Sequence, residues 1–302
     1  MNALRRLASL SLVALALPLL PSCSSNNDDL LGPADELAVL REMTFVREEE
    51  GLSDAFDLDG RISGEDDPQG CYHADVVGLD GEQGVDNAFA NVLPALEVAG
   101  GAAIEPLIQA SINDGRLLLM IGLDGIEDRQ NDDCVRLRLS RGAGQPAVGG
   151  DGLLLAGQTF DPEPERGESI VECATISDGV LRGSPFSLRL ELNIFDEYID
   201  LTMLDSVMEL ELLPEYGYVG RMGGGVSVQE VKDNVATLDG IGDEIPAMIE
   251  SILDINADLA PDSFGNCTQM SVAFHFTAAT AFYFSDELPE VESAEEMPVG
   301  TR

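Results

Sequence analysis

The most regular pattern in the chain is an alternation of apolar and polar side chains over residues 186–194. Its five apolar side chains occupy every second position, so they share one face of an extended chain, while polar side chains share the other. This pattern is typical of a strand with one buried and one solvated face. The alternation continues over 198–204, turns at 205–206 and returns over 208–212, which predicts an antiparallel meander.

Further apolar segments predict more strands, and the last and longest covers residues 269–284. With the meander, the earlier segments make residues 115–222 rich in β-structure. These earlier strand candidates are residues 116–123, 135–139, 153–157 and 170–176. Residues 34–50 have apolar positions at a loosely helical spacing, so we expect either a short first helix or an extended segment there.

Apolar residues at three- and four-residue steps predict helices in two regions of the chain. The first region is a helical pair over residues 86–113, divided by two adjacent glycines. The second comprises one helix at about 227–238 and another at about 243–258. The glycines at 223–225 are expected to break the sheet before these helices and to form a connection.

Together these elements predict an α+β fold for a single domain over residues 34–285. An antiparallel β-sheet or β-sandwich meander would carry helices packed on one face or end. An acidic, glycine-containing loop segment at 53–87 precedes the first predicted helix. Residues 286–302 are rich in glutamate and contain two prolines, so they are expected to be a disordered acidic tail.

The N-terminal residues have the pattern of an export signal. Arg5 and Arg6 precede an uncharged apolar stretch at 7–20, which is too short to span a hydrocarbon layer of about 30 Å. The stretch ends in Leu-Pro-Ser-Cys at Cys23, which resembles the lipobox of bacterial lipoproteins. The resemblance implies removal of residues 1–22 as a signal peptide and lipid attachment to Cys23.

The same resemblance implies a location. A lipidated chain would be held in the cell envelope, with residues 23–33 as a flexible tether. By the sorting rule of Gram-negative lipoproteins, Ser24 after the acylated cysteine favours the outer membrane. The alternative is an ordinary secreted protein in which Cys23 is unmodified.

Acidic residues greatly outnumber basic ones. The chain has 56 Asp and Glu against 16 Lys and Arg, a formal net charge of −40. Such a charge repels nucleic acid and anionic lipid headgroups, so we expect no nucleic-acid partner and membrane contact through the N-terminal lipid only. Cations are the expected partners, either as bound Ca²⁺ or as a diffuse shell suited to saline surroundings.

Four cysteines follow Cys23, and in an exported chain an even number predicts disulfides. Their spacings match no CxxC zinc pattern. Cys71 and Cys134 each follow an acidic loop, which favours a bridge between them and leaves Cys173 to pair with Cys267.

Residues 55–66 resemble the calcium loop of EF-hand and dockerin-like proteins. Asp57 and Asp59 fall at loop positions three and five, Gly60 at the sharp turn, and Asp66 at position twelve. Carboxylates spaced by two around a turn suit Ca²⁺, which prefers oxygen ligands. The alternative is a solvated acidic turn, since position one is an alanine.

A second acidic cluster contains Asp75, Asp80 and Asp86 and lies just before the first predicted helix. Asp86 could instead cap that helix. The cluster could also complete the first site, because a bridge from Cys71 to Cys134 would bring further carboxylates near. Those are Asp128, Asp132 and Asp133. The resulting hypothesis is a shared corner held by calcium and a disulfide.

Catalytic signatures are sparse, since the sequence has no HExxH, GxSxG or Walker loop. His275 is interpreted as a residue of the final strand. His73, in the acidic loop, is either a polar loop residue or a metal ligand or general base.

The combination of lipobox, Asp-Leu-Asp-Gly segment and residues 84–87 resembles uncharacterised acidic lipoproteins of Gram-negative bacteria, a resemblance that implies no activity. The sequence therefore favours a non-enzymatic, lipid-anchored binding or structural module with bound calcium. The alternatives are a hydrolase that uses an acidic pair or His73, and a lipid carrier with an open apolar cavity.

Overall fold

The structure is a computed structural model, and the described residues belong to one compact unit. They are residues 34–98, 104–194, 197–214, 217–237 and 244–284. The predicted signal peptide, the lipid attachment residue Cys23, the tether and the acidic tail lie outside the described residues.

Strands dominate the described chain, and helices lie in two of the connections. In chain order the strands are β1 (Glu36–Phe45), β2 (Glu48–Glu49), β3 (Leu52–Ser53), β4 (Val76–Gly78), β5 (Gln83–Val85), β6 (Leu119–Asp124), β7 (Asn131–Ala143), β8 (Gln158–Pro162), β9 (Ser169–Ser177), β10 (Val180–Ile194), β11 (Glu197–Leu212), β12 (Gly217–Ser227), β13 (Leu259–Pro261) and β14 (Cys267–Tyr283). The helices are α1 (Ala88–Val98), α2 (Ile104–Asn113), α3 (Val228–Ala236) and α4 (Glu244–Asn256).

Eight of these strands form a closed antiparallel sheet. Each strand of the series β1, β6, β7, β9, β10, β11, β12 and β14 pairs with the next, and β14 pairs with β1 to complete the ring. The short strands β2 to β5 form a separate sheet in the acidic segment and the few residues before it. The predicted α+β fold with an antiparallel meander is therefore confirmed.

The apolar faces of the strands meet in one large core. Phe186, Leu188 and Leu190 share a face of β10 and are 6%, 4% and 2% exposed, as their alternation predicted. Burying such a side chain contributes about 1.5 to 3 kcal/mol relative to leaving it exposed. Helix α2 contacts both β1 and β10 and adds Ile108 and Ile112 to this core.

The other helices pack mainly on a second cluster, although α1 also adds Leu93 to the main core. Helix α1 contacts β14 and α4, while α3 contacts α4 and three neighbouring strands. Small and branched side chains from these helices form a second cluster together with Met270 of β14. No helix in the described part of the chain is long and apolar enough to cross a membrane.

Three local predictions need correction, and one open choice is settled. Residues 34–50 take the extended alternative, because β1 pairs on both edges. The strand predicted at 153–157 is wrong, since only an isolated bridge at Leu154 forms there. The turn predicted at 205–206 is wrong as well, because β11 continues through it with a bulge at which Asp205 adopts a φ of 48°.

The expected break at glycines 223–225 is also wrong, since these residues lie inside β12. A Cβ added at Gly224 would lie 2.4 Å from Ser206 Oγ, and one at Gly223 would lie 3.0 Å from Phe56. The glycines therefore let neighbouring side chains approach the strand closely, which is a packing role that period-two patterning does not reveal.

Candidate cation site in the acidic loop

Arg221 of β12 holds the first part of the acidic loop against the closed sheet. Its guanidinium donates to Asp54 Oδ1 at 2.7 Å and to the Ala55 carbonyl at 3.0 Å. It also lies 4.5 Å from the centre of the Phe56 ring, a cation–π contact. Because Phe56 is 1% exposed, these contacts fix the backbone just before Asp57.

A second chain segment crosses the first at Asp86, immediately before α1. The Asp86 N–H donates to the Phe56 carbonyl at 2.8 Å, and the Leu58 N–H donates to Asp86 Oδ2 at 2.7 Å. The next residue, Asn87, is buried and donates to the Val46 carbonyl at 3.1 Å. These hydrogen bonds hold Asp86 beside the loop, so its carboxylate accepts from the loop backbone and not from the N-terminus of α1.

Three of the predicted metal ligands converge at this crossing. Asp57, Asp59 and Asp86 each offer a carboxylate oxygen, and these oxygens lie within 4.8 Å of one another. Asp57 Oδ1 accepts from the Gly60 N–H at 2.6 Å, and Asp59 Oδ1 accepts from the Arg61 N–H at 2.9 Å. These bonds turn the loop tightly so that both carboxylates face Asp86.

The other three predicted ligands are arranged differently. Asp75 accepts from the Ser63 N–H and is close enough to Asp57 and Asp59 to interact electrostatically with them. Asp66 lies exposed in a turn, and Asp80 accepts from the Glu82 N–H at 2.9 Å in the turn between β4 and β5. Asp66 and Asp80 therefore stay outside the convergent group among the described residues.

Burial and neighbouring charges raise the pKa of two carboxyl groups at this site. Burial, reinforced by the neighbouring charges of Asp258, Asp59 and Asp75, raises the pKa of Asp86 to about 8. Burial and the charge of Asp57 also raise the pKa of Asp59. Among the described residues, the only ion pair within the group is a long one, 3.9 Å from Arg61 Nε to Asp59 Oδ2. With one long ion pair for three carboxylates, the site favours either a bound proton, as the raised pKa of Asp86 indicates, or a bound cation.

The donor set fits a hard divalent cation. Ca²⁺ binds oxygens at about 2.3 to 2.6 Å, so two oxygens on the same ion can be about 5 Å apart, which the observed separations satisfy. All three side chains are carboxylates, and neither histidine nor cysteine is among them. Because Ca²⁺ takes about six to eight oxygens, water or backbone carbonyls would complete the coordination.

Two disulfides are present, but their connectivity differs from the prediction. Cys71 pairs with Cys267, and Cys134 pairs with Cys173, with Cα–Cα distances of 5.8 Å and 4.4 Å. The pairing of Cys71 with Cys134 is wrong because Cys134 lies in β7, directly beside Cys173 in the neighbouring strand β9. The bridge from Cys71 instead ties the acidic segment to the start of β14.

The connectivity also removes part of the predicted shared corner. The disulfide between Cys134 and Cys173 holds the start of β7 against β9, and Asp128, Asp132 and Asp133 lie at this end of β7. Asp132 accepts from the Glu127 and Cys134 N–H groups at 2.7 and 3.1 Å, so it organises its own turn. These three carboxylates do not join the group around Asp86.

Sequence reasoning missed a buried network beside the site. Asp258 is 8% exposed and accepts from both the N–H and the hydroxyl of Ser271. Ser271 Oγ in turn accepts from the Ala88 N–H at 2.7 Å, which satisfies the first turn of α1. Burial raises the pKa of Asp258 to about 6. One aspartate among 56 acidic residues has no sequence signal that distinguishes it.

The two histidines lie in different surroundings in the described structure. The His73 backbone N–H donates to the Gly70 carbonyl at 2.9 Å, and its ring makes no hydrogen bond to a described residue. His275 lies in β14, as predicted, and its Nε2 is 2.8 Å from Asp54 Oδ2. Since Asp54 is also paired with Arg221, His275 belongs to the contacts that hold the loop.

No protein-family model, curated protein or solved structure matches the chain. Function is therefore inferred from the geometry and chemistry of the site.

Proposed function

We propose that the chain is a lipid-anchored protein of the cell envelope, a non-enzymatic binding or structural module whose acidic loop binds Ca²⁺. The observation that carries the calcium proposal is the convergence of Asp57, Asp59 and Asp86 from two separate segments, with one of the three carboxylates buried. A cation between them would neutralise like charges that otherwise repel one another.

Calcium would act here as a structural link. Asp57 and Asp59 belong to the loop that Arg221 holds on the sheet, whereas Asp86 directly precedes α1. Binding would therefore join the loop, the first helix and the closed sheet, and the binding free energy would add to the free energy of unfolding.

The buried core supports a binding or structural module over the lipid carrier, and the surroundings of His73 support it over the hydrolase. One continuous set of buried apolar side chains occupies most of the core, and the cavity of about 220 Å³ beside it is smaller than the roughly 300 Å³ of sites for drug-sized ligands, whereas a lipid carrier needs a larger apolar cavity. A hydrolase that uses His73 would need carboxylates at its ring, and the described residues make no such hydrogen bond. The acidic loop lies outside the main core, where a cation or partner can reach it.

The lipid anchor is tested separately from the calcium site. Mass spectrometry of the native protein should find residue 23 as the N-terminus with a diacylglyceryl group on its sulfur. The Cys23→Ala variant should leave the membrane fraction. An intact Met1, or an unmodified Cys23 on the native protein, would contradict the anchor and leave the calcium proposal standing.

The calcium site is tested by isothermal titration calorimetry of the mature chain with CaCl₂. The D57N, D59N and D86N variants keep a side-chain acceptor for the backbone bonds but lose a charged ligand. We expect each to bind Ca²⁺ at least about tenfold more weakly than the wild type.

The matched control is Asp80→Asn, which removes a charge from the same acidic segment outside the convergent group. This variant should bind Ca²⁺ like the wild type. An equal loss of Ca²⁺ affinity in D80N and D86N would show that the ion is attracted by the overall charge and is not bound at a specific site. A wild type that binds no Ca²⁺ would contradict the proposal.

A further inference from the structure

A cavity of about 220 Å³ opens where β9 and β10 separate. The two strands pair only near their connection, through Val180–Arg182 of β10. Beyond that point β9 pairs with β7, and β10 pairs with β11. Two contacts cross the opening, a hydrogen bond from the Ser169 hydroxyl to the Ser187 carbonyl and an ion pair between Arg166 and Glu191.

Arg141 of β7 lies at this cavity, on the face of the strand that forms the core. Side chains two residues apart share a face of a strand, so Arg141 follows Leu137 and Leu139, which are 0% and 2% exposed. Arg141 itself is 5% exposed and lines the cavity. The charged side chain of Arg141 therefore occupies a position of β7 at which the alternation predicts an apolar side chain.

The guanidinium of Arg141 has no hydrogen-bond partner for either terminal nitrogen. Nη1 and Nη2 are both buried, and neither contacts an acceptor in the described part of the chain. The other two arginines that line the cavity have partners, since Arg166 pairs with Glu163 at 2.9 Å and Arg189 pairs with Asp200. Arginine stays charged in proteins, so this is a buried positive charge without a hydrogen-bonded counterion among the described residues.

The composition makes that charge unexpected. The chain has 40 more acidic than basic residues, so carboxylates are abundant, yet none of those described pairs with Arg141. Burying an unpaired charge destabilises a fold. Proteins retain such a loss of stability at functional sites, where the buried group is positioned to bind a ligand.

We propose that the cavity binds a small organic monocarboxylate, whose two oxygens accept from Nη1 and Nη2 of Arg141. The planar guanidinium matches a carboxylate in a bidentate geometry. Leu119, Leu139 and Leu188 also line the cavity, so they would contact a short apolar body attached to the carboxylate. The volume is below the roughly 300 Å³ of sites for drug-sized ligands, which limits that body to a few carbons.

The surrounding charge favours a monoanion over a dianion such as phosphate. Glu168 lines the cavity, and Glu191 and Glu163 are close enough to interact electrostatically with Arg141. These carboxylates would repel a second negative charge on the ligand more strongly than the first.

The test is calorimetric titration of the mature chain with sodium butyrate, neutral butyramide and inorganic phosphate. We expect butyrate to bind and the other two to bind at least about tenfold more weakly. The R141M variant keeps most of the side-chain volume and should lose at least about tenfold in butyrate affinity. The matched control is Arg116→Met, an exposed arginine paired with Asp114 away from the cavity, which should bind like the wild type.

A second measurement separates binding from folding. Without ligand, R141M should melt at a higher temperature than the wild type, because it removes an unpaired buried charge. A wild type that does not bind butyrate, or that binds phosphate or butyramide as tightly, would overturn the proposal. So would an R141M protein that is folded and binds butyrate with unchanged affinity.

Discussion

Three adjacent glycines in β12 lie where side chains from neighbouring segments approach the strand most closely. Phe56 packs against Gly223, the Ser206 hydroxyl lies over Gly224, and Gln269 lies over Gly225. Phe56 in turn fixes the loop that carries Asp57 and Asp59. The glycines therefore contribute to the geometry of the candidate site, although none of them touches it.

Gly224→Ala tests this packing role. Its new Cβ would meet Ser206 Oγ at 2.4 Å and the Leu204 carbonyl at 2.9 Å, so we expect a loss of about 1 to 3 kcal/mol in the free energy of unfolding. Urea denaturation measures it. The control is Gly150→Ala, where a Cβ meets nothing within 4 Å, and it should change stability by less than about 0.5 kcal/mol. Equal effects at both positions would contradict close packing at β12.

Asp258 should make stability depend on pH. Its pKa is raised from 3.8 to about 6 in the folded protein, so the folded state holds this proton more tightly than the unfolded state. The resulting stabilisation is complete below about pH 4 and is lost as the pH rises through about 6. The contribution is at most about 3 kcal/mol.

The Asp258→Asn variant should reduce this dependence, measured as the free energy of unfolding between pH 4 and pH 7 in EDTA. The control is Asp114→Asn at an exposed position, for which the free energy of unfolding should change with pH as it does in the wild type. An unchanged slope in D258N would show that Asp258 ionises normally in the folded protein.

At the scale of elements, the strands with clean alternation could be predicted from the sequence. The buried face of β10 and the last strand, β14, follow directly from period-two patterning. The closure of the sheet could not be predicted, since β1 and β14 come from opposite ends of the domain and their pairing is set by tertiary packing. The break predicted at the glycines of β12 was wrong for the same reason, because the packing role of these glycines depends on side chains distant in sequence.

The candidate site could be predicted in part, because some of its residues are local in sequence and one is brought in by tertiary packing. Asp57 and Asp59 are two residues apart, so local turn geometry places them together. Asp86 joins them only because two distant segments cross, while Asp66 and Asp80 of the same acidic segment remain outside the group. Disulfide connectivity likewise depends on which strands are neighbours, as β7 and β9 show.

The two disulfides should differ in their effect on calcium binding. The C71S/C267S variant releases the acidic segment from β14, so we expect weaker Ca²⁺ binding together with lower stability. The C134S/C173S variant should lose stability but keep Ca²⁺ affinity, because its bridge joins β7 to β9 away from the site. Chain-entropy costs of about 5 and 4 kcal/mol follow from sequence separations of 196 and 39 residues.

Calorimetry and thermal denaturation of the two double variants make this comparison. Non-reducing peptide mapping of the wild type checks the connectivity itself. Recovery of a peptide that links Cys71 to Cys134 would contradict the pairing, and an equal loss of Ca²⁺ affinity in both variants would contradict the specific role of the Cys71 bridge.

At the scale of the whole molecule, the net charge of −40 opposes folding through self-repulsion. Salt screens such repulsion, since the Debye length falls from about 10 Å at 0.1 M to about 3 Å at 1 M. We therefore expect the melting temperature to rise with NaCl in the wild type and in D86N alike.

Calcium should act differently from salt. At matched ionic strength, millimolar CaCl₂ should raise the melting temperature of the wild type above its value in NaCl, and this additional rise should be absent from D86N. The same additional rise in both proteins would show that Ca²⁺ only neutralises charge over the surface.

The most direct test of the calcium site is an anomalous difference map from crystals of the mature chain grown with CaCl₂ and measured at long wavelength. We expect a peak between Asp57, Asp59 and Asp86, with ligand distances of about 2.3 to 2.6 Å. Well-ordered carboxylates without a peak between them, in crystals that contain millimolar Ca²⁺, would contradict calcium binding at this site.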